Sequence, residues 1–145
     1  NTPSMLALED YLDALAWAER IGGQPELARR ADANAKVLFD WIDRTRWIAN
    51  LAVDPLTWSN TSVCLKIVDP DVLALSGEAQ AKFAKDMVAL IEKEGAGYDL
   101  GAYRDAPPGL RIWCGSTVEA ADVAALVPWL EWAFAQTKAK LAKAA

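Results

Sequence analysis

Apolar residues recur along this chain at two different periods, and the switches between them predict its elements. Met5, Leu8, Leu12 and Leu15 follow the spacing of one helix face, with Glu9, Asp13 and Arg20 on the wetter side. Thr2 is expected to cap this helix, and Pro3 suits its first position, where a missing N–H costs nothing. Gly22-Gly23 ends it, as glycine does at helix C-termini. Pro25 restarts the chain in a second helix, expected over 25–44. Its stripe is Leu27, Ala31, Ala35, Leu38 and Ile42, opposite Arg29, Asp32, Lys36 and Asp43.

The stretch 45–61 is expected to be irregular, broken by Pro55 and Asn60, with Trp47 and Trp58 plugging it onto the body. Residues 62–68 alternate as a strand, Val63, Leu65 and Ile67 on one face and Cys64, Lys66 and Val68 on the other. Pro70 stops that strand. A third amphipathic helix is predicted over 78–94, using Phe83, Met87, Leu90 and Ile91. Gly95 and Gly97 then lead to a short strand at 98–100, and Pro107-Pro108-Gly109 turns the chain into another at 110–114. Ser116-Thr117-Val118-Glu119 has the pattern of a capping box opening the last helix. That helix runs through Val123, Leu126, Leu130, Phe134 and Leu141, with Pro128 inside it as an expected kink. Strands this few and this separated predict an α+β domain: a small antiparallel or mixed sheet flanked by amphipathic helices, a single domain over 1–145.

Composition narrows the chemistry. With 145 residues, 53% hydrophobic and 24% charged, the chain can bury a core. A net charge of −5 offers no broad attraction for nucleic acid or an anionic membrane. No apolar run approaches the roughly 18 to 20 residues of a membrane span, and no signal architecture opens the chain, so a cytoplasmic protein is expected. Cys64 and Cys114, on predicted strands, are then expected to be reduced, buried thiols. There is no histidine, which removes Ser-His-Asp and Cys-His catalysis and histidine zinc sites, and two cysteines alone make no thiolate zinc site. No metal is expected. The seven tryptophans suit packing better than base stacking, since no basic groove accompanies them. A start at Asn1 rather than methionine is expected of a fragment or a processed product.

Few positions are left to carry chemistry. Asn1-Thr2-Pro3-Ser4 opens a helix, whose unpaired N–H groups suit a phosphate, although the same residues serve equally as a plain N-cap. Arg111 interrupts the apolar run Leu110-Arg111-Ile112-Trp113-Cys114 with no obvious carboxylate beside it. It either faces solvent or awaits an anion, and its planar fork suits a carboxylate. Arg104 stands in a turn beside Asp105, which can neutralise it. Lys66 reads as an exposed edge residue.

Asn1-Thr2-Pro3-Ser4 opening an amphipathic helix, Gly22-Gly23 closing it, and Gly109-Leu110-Arg111 before a final long helix resemble the C-terminal part of phosphoserine aminotransferases. These belong to fold type I of the pyridoxal-phosphate enzymes, and the resemblance covers essentially the whole chain. It implies a C-terminal small domain whose large cofactor-binding domain and catalytic lysine lie outside this chain, so that the chain alone is inactive. It also implies a homodimer, in which Asn1 and Thr2 reach the pyridoxal phosphate held by the neighbouring subunit. Arg111 would bind the substrate α-carboxylate and Arg104 the substrate phosphate, across the dimer. The implied reaction is transamination between phosphoserine and 2-oxoglutarate, in serine biosynthesis. Two features depart from the family pattern: acidic Asp105 follows Arg104 where a basic pair is usual, and Ile112-Trp113-Cys114-Gly115 replaces a Ser-x-Tyr-Asn type run. Another fold type I amino-acid aminotransferase, or a free-standing interaction module with a tryptophan surface, are the competing readings.

Overall fold

A computed structural model describes residues 4–144, so Asn1, Thr2 and Pro3 lie outside the described residues. The first helix, α1, runs Met5–Ile21, and Ser4 caps it rather than Thr2, its hydroxyl accepting from the Ala7 N–H at 3.4 Å. The chain then reverses through Gly22 and Gly23 at φ 121° and 71°, left-handed values that a side chain would resist. Helix α2 follows directly as Gly23–Ile42, burying Ala31, Asn34, Ala35, Leu38 and Trp41. The predicted stripe is there, with Trp41 buried and Ile42 only half-buried at its end.

Three strands form one antiparallel sheet in the order β1 (Ile48–Asn50), β2 (Ser62–Ile67), β3 (Gly109–Trp113). The alternation on β2 is as expected, and Val63 and Leu65 stand opposite Ile112 and Leu110. β1 falls inside the stretch expected to be irregular, because three residues are too few to display a period. Residues 98–100 form no strand. An isolated bridge, Gly101 to Leu110, and the Arg111 N–H to Leu100 carbonyl bond tie that loop to the edge of β3. Pro70 does end β2, and it also opens a short helix, α3 (Pro70–Leu73), which Asp69 caps through the N–H groups of Asp71 and Val72.

Helix α4 (Gly77–Lys93) buries Phe83, Ala84, Met87 and Ile91. Helix α5 (Ala120–Ala144) packs on both α2 and α4 and carries Pro128 in its interior. The expected capping box does not form. The helix starts after Glu119, whose carboxylate is turned outward to pair with Arg30. At the centre of the body, Glu131 of α5 accepts from the indole N–H groups of Trp41 at 2.7 Å and Trp47 at 2.9 Å, and Trp47 stacks flat on Phe134. Trp47 thus anchors the segment after α2, as Trp58 does against Phe39.

Helix α1 overturns one expectation. Its stripe of Met5, Leu8, Leu12 and Leu15 is present, yet all four residues are exposed and the helix buries none. Periodicity reveals that a helix has an apolar face, and says nothing of which chain covers it. Chemical denaturation of the 145-residue chain should register this contrast. Leu38→Ala, in the core, is expected to cost about 2–5 kcal/mol, whereas Leu12→Ala should cost less than about 1 kcal/mol.

Candidate functional site

The side chains of Val63, Leu65, Ile67, Leu110 and Ile112 are buried against the helices, so alternation turns the others to the opposite face. There Ser62, Cys64, Lys66 and Arg111 are half-buried and Trp113 is exposed. Lys66 and Arg111 are the only charged residues on the three strands, and both lie on this open face. Lys66 belongs to the central strand, which corrects its reading as an edge residue. The edge position was unreadable while β1 went unrecognised.

Arg111 stands opposite Cys64. Its N–H points away from β2, to the Leu100 carbonyl, so the two residues form a non-hydrogen-bonded pair with side chains close together. Its Nη2 donates to Oδ2 of Asp99 at 2.8 Å, while its Nε is shielded from solvent without a partner. Half of the side edge of the fork is therefore unused. Asp99 corrects the expectation of no neighbouring carboxylate. The loop after α4 folds back along β3, with Asp99 in the left-handed region at φ 54°. Sequence separation concealed this contact, although the glycine-rich approach at Gly95 and Gly97 marks a tight bend. The Asp99 side chain is 86% exposed against 36% for Arg111. Such a pair is worth about 0–1 kcal/mol, so an incoming carboxylate can exchange for it at little cost. Ser62, Asp99, Arg111 and Trp113 line a small cleft of about 100 Å³.

Arg104 does not converge on Arg111. It is exposed, 3.7 Å from Asp105, and lines a separate cleft of about 480 Å³ between α4 and the loop before β3. Lys85, Val88, Tyr103 and Pro107 share that cleft. Asn1 and Thr2 lie outside the described residues.

A supporting residue escaped the sequence reading. Asn34 is 1% exposed and its amide nitrogen donates to the carbonyls of Cys114 (3.1 Å), Gly115 (3.1 Å) and Val118 (2.9 Å). Arg30, one turn earlier, donates to the Ser116 carbonyl at 2.8 Å. Together they fix the turn that leaves β3. The available signal was an asparagine set into the apolar stripe between Ala31 and Leu38. Cys114, directly below this turn, is a free and fully buried thiol, and burial pushes its pKa up to about 11. Cys64 is free but only half-buried.

Solved structures share this fold. A phosphoserine aminotransferase from Bacillus circulans subsp. alkalophilus aligns with a TM-score of 0.77 and 22% identity, over 94% of this chain and 34% of that one. A structure describing radiation damage of the Schiff base in phosphoserine aminotransferase aligns at 0.75 and 18% identity, over 94% of this chain and 35% of that one. The class is thus an α+β domain of the kind these aminotransferases contain.

Sequence similarity is more specific. Phosphoserine aminotransferases of Methanosarcina mazei and Methanosarcina barkeri are 42% and 46% identical over 134 residues, which is 92% of this chain. The chain is thus similar to phosphoserine aminotransferases, and it spans about a third (34%) of the length of these curated relatives. No protein-family profile matches it.

Three of the described lysines are unsuited to hold pyridoxal phosphate as a Schiff base. A Schiff-base lysine is favoured by a depressed pKa. Lys138 shows the reverse, its ammonium held above the ordinary range by the hydrogen bonds it donates to Asp69 and then Asp71. Lys36 and Lys82 are engaged with Asp40 and Asp86.

The buried thiol sets a pH dependence. Between pH 9 and about 11 an unfolded chain releases the Cys114 proton while the native chain keeps it. This contribution is complete below pH 9 and is lost as pH rises towards 11. The stability difference between wild type and Cys114→Ala should accordingly shrink by about 2–3 kcal/mol across that window, as measured by urea denaturation.

Proposed function

We propose that this chain is the C-terminal small domain of a pyridoxal-phosphate-dependent phosphoserine aminotransferase, and that Arg111 holds the α-carboxylate of its substrates. The observation that carries this reading is the half-used guanidinium of Arg111 on a sheet face bare of helices, in a chain 42–46% identical to phosphoserine aminotransferases. A carboxylate approaching the Nε and Nη2 edge gains two charge-assisted hydrogen bonds and gives the orphaned Nε its acceptor. Asp99 is then released to solvent, where it already largely resides.

The bound cofactor would supply the electron sink for transamination between phosphoserine and 2-oxoglutarate. This domain's part is to bind and orient. Both amino acid and keto acid carry the carboxylate that Arg111 grips, so one residue serves both half-reactions. Arg104 is assigned to the substrate phosphate, and its position in a separate cleft suits a contribution to the other active site of a homodimer. Asn1 and Thr2 are assigned to the cofactor phosphate of the neighbouring subunit. The exposed stripe of α1 fits the same reading, as a surface that packs on the portion of the enzyme absent from this chain. A soluble, cytoplasmic enzyme of serine biosynthesis is the setting proposed.

In the full-length enzyme Arg111→Lys keeps the charge and loses the fork. It should lower kcat/KM for phosphoserine and for 2-oxoglutarate by about a hundredfold or more, with little change in melting temperature. Arg104→Ala should reduce phosphoserine use more than glutamate use, since only the former carries a phosphate. Single-turnover half-reactions beside a thermal melt separate these outcomes. If Arg111→Lys shifts the melt and spares both half-reactions, Arg111 is structural and the site assignment is wrong.

A further inference from the structure

Trp113 lines the cleft at Arg111 together with Ser62 and Asp99, and it is 56% exposed, more than any other tryptophan among the described residues. Arg111 and Trp113 stand two apart on β3, so their side chains leave the same open face as neighbours. The indole is not laid on the guanidinium. It lies over Gly115, the next position but one in the other direction along the chain. A Cβ on Gly115 would fall within the ring, against Cζ2, Cε2 and Nε1. Gly115 is buried, and it is not one of the glycines at positive φ. Its backbone conformation therefore admits a side chain, and the space taken by the indole does not.

With the ring on Gly115, the cleft bounded by Arg111 and Trp113 keeps a volume of about 100 Å³. At roughly 30 Å³ for each water, that is about three waters' worth of space, room for a carboxylate and the carbon that bears it. Across the sheet the register partner of Trp113 is Ser62, whose small side chain leaves the indole as the bulky wall. A ring displaced from Gly115 has the open cleft to enter, where an indole stacks favourably on a guanidinium. It would then cover the donors of Arg111 that face a ligand.

We propose that Gly115 holds the Trp113 indole back from Arg111, and that the indole so held sets the width of the cleft. The cleft then admits carboxylates whose neighbouring carbon is planar or keeps a hydrogen, and rejects those in which that carbon is fully substituted. Trp113 is a specificity-determining residue, and Gly115 is a positioning residue that acts through it. The proposal rests on the assignment of Arg111 to a ligand carboxylate made above.

Competitive inhibition of the phosphoserine half-reaction in the full-length enzyme tests this with 2-methylpropanoate and 2,2-dimethylpropanoate, which differ by one methyl group. Wild type should bind the smaller acid at least about fivefold more tightly, the scale of one methyl forced into a filled site. Trp113→Ala, with the wall removed, should bring the two inhibitors within about twofold of each other. Gly115→Ala should raise KM for phosphoserine by about tenfold with kcat little changed, as lost access to the binding site does. Adding Trp113→Ala to Gly115→Ala should bring KM back towards wild type, a rescue that a purely structural glycine would not show. If wild type does not discriminate, if Trp113→Ala leaves the discrimination as it was, or if it fails to rescue Gly115→Ala, the proposal is overturned. Should Gly115→Ala not fold, the inhibitor pair on wild type and Trp113→Ala decides alone. Arg111→Lys should weaken both inhibitors alike, and if it does so while Trp113→Ala changes nothing, the Arg111 assignment survives without the proposal. If Arg111→Lys leaves both inhibitors unchanged, the assignment and the proposal fail together.

Discussion

A three-stranded sheet that buries one face against helices must turn alternate side chains the other way, and the arrangement of this domain depends on that constraint. Val63, Leu65, Ile67, Leu110 and Ile112 commit one face to the core. A shift of register by one residue would bury Arg111 and Lys66 among α2, α4 and α5 without partners, at a cost of several kcal/mol for each charge. Hydrophobic burial therefore holds the two cations on the exposed face. The same force that stabilises the domain presents its candidate site.

Polar contacts fix the ends of what burial orients. Asn34 and Arg30 hold the turn after β3 by four side-chain to carbonyl bonds, with Arg30 also paired to Glu119. On the opposite flank, Lys138 of α5 reaches Asp69 at 2.6 Å and Asp71 at 3.0 Å, tying the cap of α3 to the last helix. Glu131 joins both α2 and the segment entering β1 to α5, through the indoles of Trp41 and Trp47. Two of these attachments, at Lys138 and Glu131, are made by α5, which ties the exit of β2 and the entry to β1 to one helix. Asp99 is different in kind, since its single exposed bond to Arg111 restrains little.

What the sequence revealed followed from the length and regularity of each signal. The faces of β2, the stripe of α2 and the core of α4 were legible because each repeats a period several times. β1 was not, being three residues long, and without it Lys66 was misassigned to an edge. The Ser116–Glu119 pattern promised a capping box, but Arg30, distant in sequence, competes successfully for Glu119. Asp99 beside Arg111 was hidden for the same reason: a local reading cannot see a loop that folds back along a strand edge. The exposed stripe of α1 is legible as an apolar face, whereas what covers such a face is not written in its period. Arg111 itself stood out as a charge within an apolar strand, and the structure gives that anomaly its form, a guanidinium edge only half engaged.

The central claim is that this edge is kept for a substrate carboxylate. It is tested most directly by a crystal structure of the full-length enzyme with phosphoserine bound. The account predicts the α-carboxylate within hydrogen-bond distance of both Nε and Nη2 of Arg111, with Asp99 displaced into solvent. Finding Arg111 still bonded to Asp99, with the carboxylate held by other residues, would contradict it.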